Sequence, residues 1–231
     1  MTDAVRAAVV TGGASGIGAA CVRALQAQGV RVGVIDLAPA EAADASIAVD
    51  VRDAAAVAAA VAELEATLGP IDALATAAGY YRAASLVDLS IAEWQDMLAV
   101  HVGGTVAAFQ AVLPAMLARG RGAICAVGSE LGLCGDPSAP HYAAAKGAIH
   151  ALVRSLAPEV ARAGVRVNCV APGPTDTPLL RDDPNLDQYA SVLPLGRLLQ
   201  PAEIAAAICF ALLEDTTLTG QVVSPNAGAV L

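Results

Sequence analysis

The chain has no cluster of lysine or arginine. Its 231 residues carry 13 basic and 22 acidic side chains, a formal net charge of −9. That balance argues against a nucleic-acid partner. Paired cysteines are missing too. Cys21, Cys125, Cys134, Cys169 and Cys209 are odd in number, and no two are spaced as CxxC. A reduced, cytoplasmic compartment fits, with the thiols as small apolar fillers. His101, His141 and His150 show no ligand spacing with cysteines or acids, so no metal is expected. No basic stretch followed by an apolar one stands near the N-terminus, so no secretory signal is visible. There is no fixed-period repeat and no Ser/Gly/Pro-rich linker, so one domain over 1–231 is the simple account.

What remains is apolar. Hydrophobic residues make up 56% of the chain, enough for one large core. Residues 98–118 lack charge altogether and are long enough to cross a bilayer. They include His101, Gly103, Gly104, Gln110 and Pro114. A helix buried against the core or a partner subunit is the better reading, with no membrane partner.

Short β-branched runs alternate with longer Ala-rich segments. Strands are predicted over 7–11, 31–36, 46–50, 73–77, 122–127, 166–170 and 221–224. Helices are predicted over 16–28, 53–68, 91–119, 142–163 and 201–213, with Pro114 ending or kinking the third and Pro201 in the first turn of the last. Strands separated by helices mean βαβ units and a parallel, doubly wound α/β sheet.

A glycine turn, Thr11 to Gly18, follows the first strand and opens the first helix. Gly12, Gly16 and Gly18 are spaced as GxxxGxG, with Ser15 and Ile17 between them. Glycines let a backbone approach a pyrophosphate, and a helix N-terminus attracts its charge. Asp36 ends the second strand. An acid there bonds a ribose 2′-hydroxyl and repels a 2′-phosphate. Nothing basic follows before Arg52. NAD is therefore expected over NADP. Asp36 and Leu37, Asp50 and Val51, and Ala77, Ala78 and Gly79 are the further candidates for holding it. Asp50 and Val51, and Ala77, Ala78 and Gly79, also read as plain loop.

Tyr142 and Lys146 stand four apart, and Ser129 precedes them. On a helix, i and i+4 share a face. A free phenol has a pKa of about 10, and a nearby ammonium lowers it. Lowering it by ~3 units takes roughly 4 kcal/mol. That would make Tyr142 a general acid/base near neutral pH, with Ser129 donating to the same substrate oxygen.

Together TGGASGIG at 11–18, Ser129, YAAAK at 142–146, RVNCVAPG at 166–173 and TGQVVSPNAG at 219–228 resemble the short-chain dehydrogenase/reductase family, over essentially the whole chain. The resemblance implies a Rossmann-like fold with seven parallel strands and a homotetramer or homodimer. It puts the dinucleotide part at about 1–120 and the catalytic and substrate part at about 121–231. It makes Tyr142 the acid/base, with Lys146 lowering its pKa and binding nicotinamide ribose. Ser129 polarises the reacting oxygen, and Pro172, Gly173, Thr175 and Thr177 border the nicotinamide. Hydride then passes between the nicotinamide and the carbon of a secondary alcohol or ketone.

Three departures stand out. Where the family has an asparagine that serves a water-linked proton relay, this chain has His101; it either fills the helix or serves the relay, since neutral imidazole can donate and accept. The usual NNAG reads Thr76-Ala77-Ala78-Gly79, which bears on stability. The link from Asp36 to Asp50 barely fits a crossover helix.

Tyr80, Tyr81, Glu130, Leu131, Leu133 and His141 are candidates for the substrate wall, with a short loop over 178–196. Arg181 or Arg82 could bind a substrate carboxylate, though each also reads as an ordinary surface arginine. The short 36–50 link, DALATAAG at 72–79, AVHVGG at 99–104 and LPLGRLLQPAEIA at 193–205 look like dihydrodiol dehydrogenases that oxidise a cyclic diol to a catechol. A remote alternative is a non-catalytic dinucleotide-binding sensor.

Overall fold

Runs of Val, Ile and Ala that are buried on both faces belong in the middle of a parallel sheet. The computed structural model, which describes residues 5–181, 191, 193–213 and 216–230, places them there. The strands are β1 (Ala7–Thr11), β2 (Arg31–Asp36), β3 (Ala45–Ala48), β4 (Ala73–Thr76), β5 (Gly122–Val127), β6 (Val165–Val170) and β7 (Val222–Val223). They form one parallel sheet in the order β3-β2-β1-β4-β5-β6-β7. The order reverses beside β1, and a cleft opens beyond the carboxyl ends of strands flanking such a point.

The helices are α1 (Gly16–Ala27), α2 (Ala54–Leu68), α3 (Ile91–Leu98), α4 (Gly104–Arg119), α5 (Leu131–Cys134), α6 (Pro140–Ala161), α7 (Pro178–Arg181) and α8 (Pro201–Leu213). Two apolar cores fill the layers. One joins Val57, Leu64, Phe109, Met116, Ile149 and Val153 of α2, α4 and α6 to one face of the sheet. The other joins Cys21, Leu25, Ile204, Ile208 and Leu212 of α1 and α8 to the opposite face.

Several predicted features are corrected. Pro114 does not end its helix: α4 runs through it to Arg119. The break in α geometry lies earlier, where Ala99–Gly103 form a π-helical turn between α3 and α4. Such turns recur at functional sites. The combined helix Ile91–Arg119 is long and apolar enough to cross a membrane, and 44% of its most apolar stretch is buried within the fold, with Phe109, Val112 and Met116 in the core. Helix α6 begins at Pro140, two residues before the predicted start, because proline suits a first turn. Strand β3 stops at Ala48, so Asp50 and Val51 lie in the turn beyond it.

The 36–50 link carries no helix. The Asp44 carboxylate instead accepts the Val32 N–H at 2.7 Å, and Ser46 Oγ accepts the Ala40 N–H at 3.0 Å. Side chains thus replace the packing that a crossover helix would supply. In the altered TAAG segment, Thr76 Oγ1 is buried without a partner, a local cost to stability.

Candidate active site

One cleft of about 550 Å³ runs along the carboxyl ends of the strands. All residues expected to hold the cofactor line it, from Gly12, Ser15, Gly16, Ile17 and Gly18, through Asp36, Leu37, Asp50, Val51, Ala77, Ala78 and Gly79, to Pro172, Gly173, Thr175 and Thr177. So do Ser129, Tyr142, Lys146 and His101.

The glycine turn fits a pyrophosphate on its own geometry. Gly12 has a φ of 73°, and a Cβ there would lie 2.4 Å from the Ala78 nitrogen, so β1 and β4 approach closely only because no side chain intervenes. Ser15 caps α1 without a side-chain bond, leaving the helix N-terminus open to the cleft. Asp36 accepts the Ala14 N–H at 2.9 Å and the Ala38 N–H at 3.1 Å, which fixes its carboxylate at the strand end.

At the other end, α6 carries the side chains expected to react, Tyr142 and Lys146. Lys146 is the chain's single lysine. It is buried, its Nζ lies 5.5 Å from the centre of the Tyr142 ring, and it donates to the Val127 carbonyl at 2.8 Å. Burial pushes it down to about 8. Ser129 Oγ accepts the Leu131 N–H at 3.2 Å and lies close enough to the phenol to lower its pKa. The net shift of Tyr142 nevertheless runs opposite to expectation. Burial outweighs Ser129 and pushes the phenol up to about 12. A half-buried phenol here loses more hydration than its neighbours restore.

His101 sits on the π-helical turn and is 2% exposed. Its Nε2 meets the backbone of Tyr80, either accepting the N–H at 3.2 Å or, in the other tautomer, donating to the carbonyl at 2.8 Å. Nδ1 is buried without a partner. Burial, with Lys146 nearby, pushes the imidazole down to about 3, so it is neutral. Its ring lies edge-on to Tyr142, centroids 5.3 Å apart. There is room for it because residue 79 is glycine: a Cβ there would sit 2.3 Å from His101 Cε1.

Of the predicted substrate wall, Tyr80, Tyr81, Glu130 and Leu131 line the cleft. Tyr81 packs edge-on against Tyr142 with centroids 5.1 Å apart. The other placements are corrected. His141 is 1% exposed and faces the interior from the first turn of α6. Leu133 is 45% exposed and outside the cleft. Arg181 pairs with Asp176 at 2.9 Å and Arg82 with Glu93 at 2.5 Å, both away from the cleft. Of the substrate loop, residues 182–190 and 192 lie outside the described residues.

Sequence reasoning missed a polar chain along one wall. Arg52 joins Asp50 at 2.6 Å and Asp96 at 2.6 Å, and Asp96 accepts the Tyr80 hydroxyl at 2.8 Å. Asp136 was missed as well; it accepts the Tyr81 hydroxyl at 3.1 Å. The position of Asp96 one turn before His101 was the available signal.

A family model described as enoyl-(acyl carrier protein) reductase matches residues 12–229. The chain belongs to the short-chain dehydrogenase/reductase family. It is 40% identical to galactitol 2-dehydrogenase (L-tagatose-forming) of Cereibacter sphaeroides, over 96% of this chain and 93% of that protein. It is 39% identical to cis-4-hydroxycyclohexanecarboxylate dehydrogenase of Sinomonas cyclohexanicum, over 90% and 89%. The solved structure of levodione reductase superposes with a TM-score of 0.91 at 28% identity, covering 96% of each chain. As a member of this family, the protein is an oxidoreductase acting on CH–OH groups with a nicotinamide dinucleotide cofactor.

Proposed function

We propose that the protein is an NAD-dependent dehydrogenase of secondary alcohols, in which Tyr142 is the acid/base. The observation that carries the reading is the grouping of Tyr142, Lys146 and Ser129 at one end of the cleft whose other end is the Gly12–Gly18 turn and Asp36. When bound, NAD supplies the hydride acceptor and a cationic ring that favours the phenolate.

The chain's own groups handle the proton. Ser129 Oγ orients the alcohol oxygen toward Tyr142 Oη, and Oη takes the hydroxyl proton. Lys146 presents its ammonium beside the phenol and to ribose hydroxyls. Neutral His101, with Nδ1 uncommitted, passes the proton on toward solvent. Gly12, Ser15, Gly16, Ile17 and Gly18 hold the pyrophosphate. Asp36 and Leu37 hold the adenosine ribose, and Asp50 and Val51 frame the adenine. Ala77, Ala78 and Gly79 leave room along the cleft floor, and Pro172, Gly173, Thr175 and Thr177 border the nicotinamide. The cytoplasm and a dimeric or tetrameric assembly belong to the same reading.

The test is NADH formation over a panel of secondary alcohols, cyclic diols and hydroxy acids, with NADP in parallel and Tyr142→Phe as control. We expect NAD-linked turnover, and a loss in the variant of about 10²-fold or more with NADH binding kept. A Tyr142→Phe protein as active as wild type sinks the assignment.

A further inference from the structure

Glu130 follows Ser129 directly, and the chemistry above gives its side chain no task. It lines the cleft yet is only 6% exposed, and its Oε2 is buried without a hydrogen-bond partner. Burial alone pushes the carboxyl up to about 7, with no cation opposing it. A buried, unpaired carboxyl costs stability, and folds keep such groups where function uses them.

The charges around it narrow what it takes. Asp136, the second carboxylate on this side, is already engaged: besides Tyr81 it accepts the Ser138 N–H at 2.8 Å and hydroxyl at 2.6 Å. Among the described residues, the cleft's arginine and lysine side chains are Arg52, tied to Asp50 and Asp96, and Lys146, donating to Val127. Arg82 and Arg181 are paired elsewhere. A carboxylate, sulfonate or phosphate on the substrate would meet acids with no counter-charge. A hydroxyl donates and accepts, so it satisfies a carboxyl in either protonation state, whereas an ammonium needs the anion.

We propose that Glu130 is a specificity-determining residue whose carboxyl takes a second hydroxyl of a neutral diol or polyol, seating the neighbouring carbinol carbon at Ser129 and Tyr142. This rests on the secondary-alcohol reading and names the substrate class within it.

The experiment compares matched pairs: 2,3-butanediol with 2-butanol, cis-1,2-cyclohexanediol with cyclohexanol, and 3-hydroxybutyrate as the anion. Wild type should favour each diol over its mono-alcohol by about 10- to 100-fold in kcat/KM, the range that a hydrogen bond to a charged group supplies. The anion should be poorest. Glu130→Gln should keep part of the preference, and Glu130→Leu should bring the diol/mono-alcohol ratio toward one. Because its buried Oε2 has no hydrogen-bond partner among the described residues, Glu130→Leu should also melt higher, by about 2–4 °C. A wild type indifferent to the second hydroxyl, a Glu130→Leu protein that keeps the preference, or one that melts lower overturns the proposal while leaving the alcohol reading intact. If none of the alcohols is oxidised, with NAD or with NADP, the underlying reading fails and takes the proposal with it.

Discussion

The ring of His101 stands at 90° to that of Tyr142, with centroids 5.3 Å apart. His101, the residue expected to stand in for the relay asparagine, is therefore packed against the side chain proposed as the acid/base. A neutral imidazole with one committed and one uncommitted nitrogen can take a proton on one side and release one on the other. His101→Asn should retain or raise turnover. His101→Leu keeps the bulk and removes both nitrogens, so it should cut kcat by about 10-fold or more, within the range of a lost proton-transfer group. Equal steady-state rates for wild type and His101→Leu would show that the ring is only packing.

Gly79 is coupled to the same ring. A methyl at this position would lie 2.3 Å from His101 Cε1 and force the imidazole away from Tyr80 and Tyr142. Gly79→Ala should destabilise the fold by about 1–3 kcal/mol, the usual cost of overpacking, and lower kcat. The double variant Gly79→Ala/His101→Asn should regain much of the stability, because the smaller side chain yields the space. Denaturant midpoints for the four proteins of the cycle test this, and additive losses would count against the contact.

Lys146 carries a pH signature. Its folded pKa lies near 8 against an ordinary 10.5. Between those values the unfolded chain binds more protons than the folded one, so stability should rise with pH across this window. Below about 8 the burial cost is fully present, on the order of 3 kcal/mol from the size of the shift. Lys146→Met should therefore melt higher than wild type at pH 7, with the gain shrinking toward pH 10, while turnover is lost. Thermal melts at pH 7 and 9.5 check the sign; a gain independent of pH would mean that Lys146 is not held as a desolvated cation.

Much of the architecture could be read from the residues because short apolar runs, glycine turns and helical periodicity act locally. All seven strands fall where β-branched runs place them, within a few residues at each end. The glycine turn and the Tyr142–Lys146 spacing share this property, since neighbours along one element stay neighbours in space. What escaped the sequence depends on long-range packing. The π-helical turn at His101 answers to the wall it faces, and no local pattern encodes it. The Arg52–Asp96–Tyr80 chain joins residues 44 and 16 apart in sequence. The direction of the Tyr142 shift was missed because spacing reveals the ammonium but not the burial that outweighs it. Arg82 and Arg181 looked available until Glu93 and Asp176 were found to hold them.

Asp36 gives the sharpest test of cofactor choice. Its carboxylate is held by two backbone N–H groups at the end of β2, so it cannot easily swing aside to admit a phosphate. Like charges about 4 Å apart near a protein surface cost roughly 1–4 kcal/mol, and 1.4 kcal/mol is a factor of about ten. Wild type should thus prefer NAD to NADP by at least about 5-fold in kcat/KM. Asp36→Asn is the informative variant, since its amide oxygen can still accept one of the two N–H groups while the charge is gone. The preference for NAD should narrow by at least about 5-fold, through a lower KM for NADP with little change in kcat, because the reacting end of the cleft is untouched. Raising the salt should weaken the wild-type discrimination and leave that of the variant nearly unchanged, as expected of a screened repulsion. An enzyme that prefers NADP in the wild type, or an Asp36→Asn protein with the wild-type ratio, would show that the second strand's acid does not choose the cofactor.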